Sequence, residues 1–163
     1  MTKTSKYRSR KGGKRKNTTL NNRIRNKKHG KKPFHSLENS QKTHIVKVFL
    51  EMMHMIKLYH WKTHSYAEHK ASDELHERIS DHIDKFVEVL LGKDSSRLQM
   101  TVHKMDLLNM NNTKELKEVI FKYIDFLTSL NHVFDSNKDS DLLNIRDEIL
   151  ADLNQFLYLL TLH

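Results

Sequence analysis

Four stretches that follow Ser40 repeat apolar residues at helical spacing, and this pattern constrains the fold more than any other feature of the chain. With one Pro and four Gly among 163 residues, turns are too rare for an all-β sandwich or barrel. The absence of Cys excludes disulfides, thiolate zinc sites and cysteine nucleophiles. We therefore expect an all-α protein.

The four stretches are predicted as helices over about residues 44–59, 66–91, 113–130 and 141–162. The first is apolar on more than one face and should be buried against several partners. Gly92 is the predicted C-cap of the second helix. The third helix starts after Asn112, whose side chain forms a capping-box-like start with Glu115.

The connection between the second and third helices, residues 93–111, contains several apolar residues and has room for a short extra helix. Two helical hairpins joined by a longer crossover favour a ferritin-like four-helix bundle. We place this bundle at residues 39–163.

Residues 1–38 are predicted to form a separate, disordered polycationic arm. Residues 1–33 hold 14 of the 29 Lys and Arg residues and no Asp or Glu, so the rest carries 15 basic against 20 acidic residues, a net charge of −5. Clustered cations on a flexible chain bind nucleic acid by releasing counterions, without reading sequence. A solubilising tail or a nuclear-import signal are the alternatives. The predicted nucleic-acid contacts are Lys3, Lys6, Arg8, Arg10, Lys11, Lys14, Arg15, Lys16, Arg23, Arg25, Lys27, Lys28, Lys31 and Lys32.

The second predicted helix has a polar stripe that turns away from the bundle core. At 100° per residue it contains His69, Asp73, Asp84 and Glu88, and His60 at the end of the first helix could join the His69 end. Asp73 and Asp84 lie about 16 Å apart along the helix, too far for one metal ion. A single site therefore needs Asp84 and Glu88 from a neighbouring chain, across a two-fold axis that makes two equivalent sites.

Imidazoles and carboxylates without thiols suit iron, manganese or zinc. One alternative is a solvated or dimer-interface charged stripe without metal. A di-iron site inside one chain is a second alternative, but the third and fourth helices have no Glu-x-x-His motif. Six further histidines of the bundle are interpreted as polar surface or interface residues, namely His44, His54, His64, His76, His82 and His103.

These motifs resemble those of the Dps family, the DNA-binding ferritins of starved bacteria. The resemblance rests on His60-Trp61, His69-x-x-x-Asp73 and Asp81-His-Ile-Asp84-x-x-x-Glu88, and covers about residues 42–92. Here the spacing from His60 to His69 is three residues shorter than is usual in the family.

The resemblance implies that His60, His69 and Asp73 bind iron from one subunit, that Asp84 and Glu88 do so from its two-fold mate, and that Trp61 flanks the centre. It also implies a hollow shell of twelve subunits, in which Fe²⁺ is oxidised with peroxide or oxygen and stored. Basic arms of family members bind and compact DNA, which gives residues 1–38 a role.

Two other functions remain open. The same fold and arm could condense a bacterial or viral genome without any catalysis. A helical RNA-binding or ribosome-associated protein would account for the arm but not for the polar stripe.

No apolar stretch reaches the roughly 18–20 residues of a membrane helix, and the basic N-terminus has no signal-peptide core. We expect an intracellular protein, associated with a nucleoid or with a virion.

Overall fold

The structure, a computed structural model, describes Met1 and residues 37–102 and 104–162. Within these residues there are four α-helices, α1 (Asn39–Lys62), α2 (Tyr66–Gly92), α3 (Thr113–Ser129) and α4 (Ser140–Leu159), with a short 3₁₀ turn at Leu130–His132. No described residue lies in a β-strand, so the predicted all-α class is confirmed. None of the described helices is long and apolar enough to cross a membrane. Residues 2–36 of the predicted arm lie outside the described residues.

The predicted apolar stripes of the helices meet in one core. Phe86 of α2 is fully buried and packs edge-to-face on Phe49 of α1, with ring centroids 5.1 Å apart, and on Phe134, at 5.8 Å. The apolar stripes of α2 and α4 are buried, at Leu75, Ile79, Ile83, Phe86 and Leu90, and at Leu142, Ile145, Ile149, Leu153 and Phe156, with Leu160 buried just after α4.

Contacts at the helix ends establish the direction of each helix. α1 and α2 are joined by residues 63–65 and run antiparallel. Thr113 at the start of α3 donates to Glu68 in the first turn of α2, so these two helices start at the same end. Lys93, just after α2, forms ion pairs with Asp139 and Asp141 at the start of α4. α4 therefore runs antiparallel to α2 and α3.

The connection from α2 to α3 returns along α1 to the end where α2 began. The buried Lys42 ammonium donates to Ser96 Oγ (2.8 Å), and Glu51 accepts from the Asp106 N–H (3.1 Å). The described residues of this connection, 93–102 and 104–112, contain no helix, so the predicted extra helix is wrong there. Side chains of α1 form hydrogen bonds with backbone groups of the connection, which therefore does not need an internal helix to satisfy all of them.

Two predicted C-terminal helix ends need correction, α1 extends beyond its predicted range of 44–59 at both ends, and one start is confirmed. Asn112 Oδ1 accepts from the Glu115 N–H (2.9 Å), as the capping motif predicts. Gly92 is the last residue of α2 and not a left-handed cap; the positive φ falls on Ser95 (55°). α4 ends at Leu159 in place of the predicted 162.

A hydrogen-bonded carboxylate fixes the end of the bundle next to the polar stripe. Glu68 accepts from the Tyr59 hydroxyl, Thr63 Oγ1 and Thr113 Oγ1, each at 2.7 Å. Burial acts to raise the pKa of Glu68, but the hydrogen bonds from these hydroxyls outweigh it and hold the pKa below its usual value. One carboxylate thus ties α1, α2 and α3 together.

We expect Glu68→Gln to destabilise the protein by about 1–3 kcal/mol at neutral pH, because the amide has no charge and its NH₂, in place of one carboxylate oxygen, cannot accept a hydrogen bond from a hydroxyl. The pKa of Glu68 is lower in the folded chain than in the unfolded chain, so the ionised carboxylate stabilises the fold fully above the unfolded pKa of about 4.3. This stabilisation is lost as pH falls through the folded pKa. The difference from wild type should therefore shrink in acid, as measured by urea unfolding at neutral pH and at about pH 3. Glu118→Gln, at an exposed position of α3, is the control. A Glu68→Gln difference that does not change with pH would contradict this role.

Candidate metal centre

Two histidines at the α1–α2 hairpin form a reciprocal pair. His60 is buried, His69 is half-buried, and their rings stack with centroids 3.9 Å apart. His60 Nδ1 donates to the His69 carbonyl (2.9 Å), and His69 Nδ1 donates to the His60 carbonyl (3.0 Å). The short turn 63–65, in which Ser65 caps α2, brings these two ends of the helices together.

The two hydrogen bonds determine which ring nitrogens can bind a metal. A carbonyl oxygen only accepts, so both Nδ1 atoms must carry the proton. In the neutral ring the lone pair then lies on Nε2 of both His60 and His69. Metal-binding histidines are commonly held in this way, with the other ring nitrogen donating to a carbonyl.

Asp73 supplies a carboxylate beside the histidine pair. Its Oδ1 lies 3.7 Å from His60 Nε2 and 3.0 Å from Lys57 Nζ. The hydrogen bond from Lys57 lowers the pKa of Asp73, and the charges of Lys57, His60 and Lys70 act in the same direction against a smaller effect of burial. Asp73 is therefore ionised at neutral pH, and a lysine ammonium already contacts the oxygen that a metal would use.

The other two predicted ligands lie farther along α2. Asp84 and Glu88 are exposed, and Asp84 is 11 residues beyond Asp73, about 16 Å along the helix. One chain therefore brings together His60, His69 and Asp73 but not Asp84 and Glu88. In the described part of the chain, no group of three or more His, Asp or Glu side chains is arranged to hold a metal ion.

Trp61 is 68% exposed in the single chain, directly after the buried His60. The indole therefore has little cover from the described part of its own chain. Its predicted place beside a metal centre stays a prediction.

Sequence reasoning missed Lys57, which lies one helical turn before His60 on α1. The only signal in the sequence was this spacing, because lysine is not a usual metal ligand.

His82 makes defined contacts with α4, whereas the sequence suggested only a polar surface or interface residue. Its ring nitrogens lie 3.2 Å from Glu148 Oε2 and 3.3 Å from Asp152 Oδ2 of α4. This contact links α2 to α4 and occupies the histidine within the Asp-His-Ile-Asp motif.

Comparison with known protein families gives a match over most of the helical part of the chain. The model of a family of unknown function, DUF5856, matches residues 60–160. The chain belongs to this family. The DUF5856 match begins at His60 and extends just past the end of α4, so it includes all five predicted ligands and excludes the arm and Lys57. No curated protein and no solved structure matches the chain.

Proposed function

We propose that this DUF5856 protein is a Dps-like DNA-binding ferritin that oxidises Fe²⁺ at centres shared between subunits. The observation that carries the proposal is the His60–His69 pair, whose hydrogen bonds leave both Nε2 lone pairs for a metal beside the ionised Asp73. Iron is the substrate, and zinc or manganese could bind the same donors.

The course of the chain supports a ferritin-like bundle. Two antiparallel hairpins are joined by one long crossover, and α2 and α3 start at the same end. Ferritin-like folds differ from simple up-down bundles by one such long connection.

Asp84 and Glu88 complete the centre from a second subunit in this proposal. Both are exposed on the same helix as His69 and Asp73, and lie well beyond the reach of one ion from Asp73. A two-fold axis that packs α2 antiparallel against its mate brings the partner's carboxylates to the histidine pair and forms two identical centres.

The carboxylates favour Fe³⁺ over Fe²⁺ because hard oxygen anions stabilise the more highly charged ion. Two Fe²⁺ ions each give one electron to one H₂O₂, which takes up two protons and leaves as two water molecules. Fe³⁺ then passes into a shell, of twelve subunits if the assembly is Dps-like. The basic arm holds DNA by its phosphates.

The experiment is an anaerobic Fe²⁺ titration of the full-length protein, followed by H₂O₂, next to the Asp84→Ala/Glu88→Ala variant. We expect stoichiometric tight binding and rapid oxidation in wild type, and the loss of this tight step and of the oxidation in the variant. Glu118→Ala/Asp125→Ala, which removes two exposed carboxylates from α3, should behave like wild type. Equal, weak binding by all three proteins would refute the iron centre.

Co-assembly of two inactive subunits tests whether the centre is shared. One subunit carries His60→Ala/Asp73→Ala and the other Asp84→Ala/Glu88→Ala. Random pairing makes half of the dimers mixed, and each mixed dimer has one intact centre, so about a quarter of wild-type activity should return. A centre within one chain would give no recovery.

A second function is a structural protein that condenses a genome without catalysis. The Lys57–Asp73 ion pair favours it, because the ammonium already neutralises the carboxylate that a metal would need. The Lys57 variant described in the Discussion distinguishes the two functions.

A further inference from the structure

The antiparallel register of α1 and α2 produces a series of facing pairs. His60 stacks on His69, and Lys57 forms an ion pair with Asp73. His54 lies three residues before Lys57 on α1, and His76 lies three residues after Asp73 on α2. Three residues are slightly less than one turn, about 4.5 Å along each helix, so these two histidines occupy the next facing position of the series.

Electrostatics support the proximity of these side chains. The pKa of His76 is lowered by burial first and by the charge of Lys57 next; His54 and His60 lower it further, while Asp73 opposes the shift. His54 and Lys57 of α1 therefore lie within electrostatic range of His76 of α2. Such a shift also keeps His76 neutral, the form that binds metals.

Both rings are also available for a ligand. His54 Nδ1 donates to the carbonyl of Leu50, so its Nε2 carries the lone pair, and the side chain is exposed. The half-buried His76 ring has no hydrogen-bond partner among the described residues.

We propose that His54 and His76 form a second divalent-cation site, in which one imidazole from each helix binds a borderline transition-metal ion and water fills the other positions. Neutral imidazoles suit Ni²⁺, Cu²⁺, Zn²⁺ and Fe²⁺, and a pair on adjacent helices chelates the ion. In the register of the two helices the Lys57–Asp73 ion pair comes between this pair and the His60–His69 pair, so we treat the two sites as separate. The site goes beyond the proposed function, because it needs neither Asp84, Glu88 nor a second subunit.

The test uses Ni²⁺ as the probe, in calorimetric titrations of the full-length protein at neutral pH. The Asp84→Ala/Glu88→Ala variant should keep this binding step, since it lacks only the carboxylates of the proposed iron centre. His54→Gln and His76→Gln should each weaken the step by on the order of tenfold or more, and the double variant should be no weaker than either, as expected for two ligands of one ion. His64→Gln, which changes an exposed histidine of the turn, is the matched control.

Three results would overturn the site. They are unchanged binding in both single variants, independent partial losses that add in the double variant, and loss of the step in Asp84→Ala/Glu88→Ala. Because His54 is exposed, His54→Gln removes no core packing and decides the question even if His76→Gln perturbs the fold. Failure of iron oxidation with an intact Ni²⁺ step would refute the proposed function and leave this site standing.

Discussion

A chain without residues 2–32 should bind duplex DNA at least about a hundredfold more weakly than the full-length protein at roughly 0.1 M salt. The arm carries 14 cations and no acid through residue 33, whereas the rest of the chain carries a net charge of −5. Each phosphate that a cation neutralises releases condensed counterions, so several such contacts together dominate the affinity. Without them, the acidic body repels the phosphate backbone.

Fluorescence anisotropy with a random-sequence duplex at several salt concentrations measures this effect. A plot of log affinity against log salt should be steep for wild type and nearly flat after the deletion. A shuffled arm of the same composition should retain binding, and an arm with Gln at every Lys and Arg should not. Binding that survives the deletion would place the DNA contact on the body of the protein. A single-stranded RNA competitor tests the preference for DNA in the same assay.

Much of the fold was predictable because helical periodicity records burial directly. The stripe Leu75, Ile79, Ile83, Phe86 and Leu90 is both the pattern in the sequence and the buried face of α2. The connection 93–112 was not predictable in this way. Its apolar residues suggested a helix, but its conformation depends on distant partners on α1, such as Lys42 and Glu51, which no local pattern reveals.

The candidate site was predictable in part. Spacing indicates that His60 could join His69 and Asp73, and the structure places His60 against each of them. The hydrogen bonds that orient the two imidazoles depend on backbone carbonyls, which carry no signal in the sequence. The placement of Asp84 and Glu88 against a second subunit concerns an interface, and therefore stays a prediction.

Lys57→Met should tighten binding of Fe²⁺ or Zn²⁺ at the candidate centre by about tenfold. In the structure Lys57 Nζ donates to Asp73 Oδ1 at 3.0 Å, so a metal ion must displace the ammonium or bind beside its positive charge. Methionine keeps much of the length and apolar surface of the lysine stem but removes the charge and the donor. Anaerobic titration of both full-length proteins measures the change.

Lys47→Met is the matched control, because Lys47 has similar exposure on α1 and forms its ion pair with Glu51, which is not a predicted ligand. It should leave metal affinity unchanged, and equal affinities for wild type and Lys57→Met would mean that the ammonium does not compete with the metal.

The pattern of results also separates the two proposed functions. If wild type binds iron and Lys57→Met binds it more tightly, Lys57 moderates a working centre, as the ferritin-like function requires. If only Lys57→Met binds, the ligand set is intact but the ammonium holds the place of the metal in the natural protein. The genome-condensing function would then take precedence, because the arm would remain as the active part of the molecule.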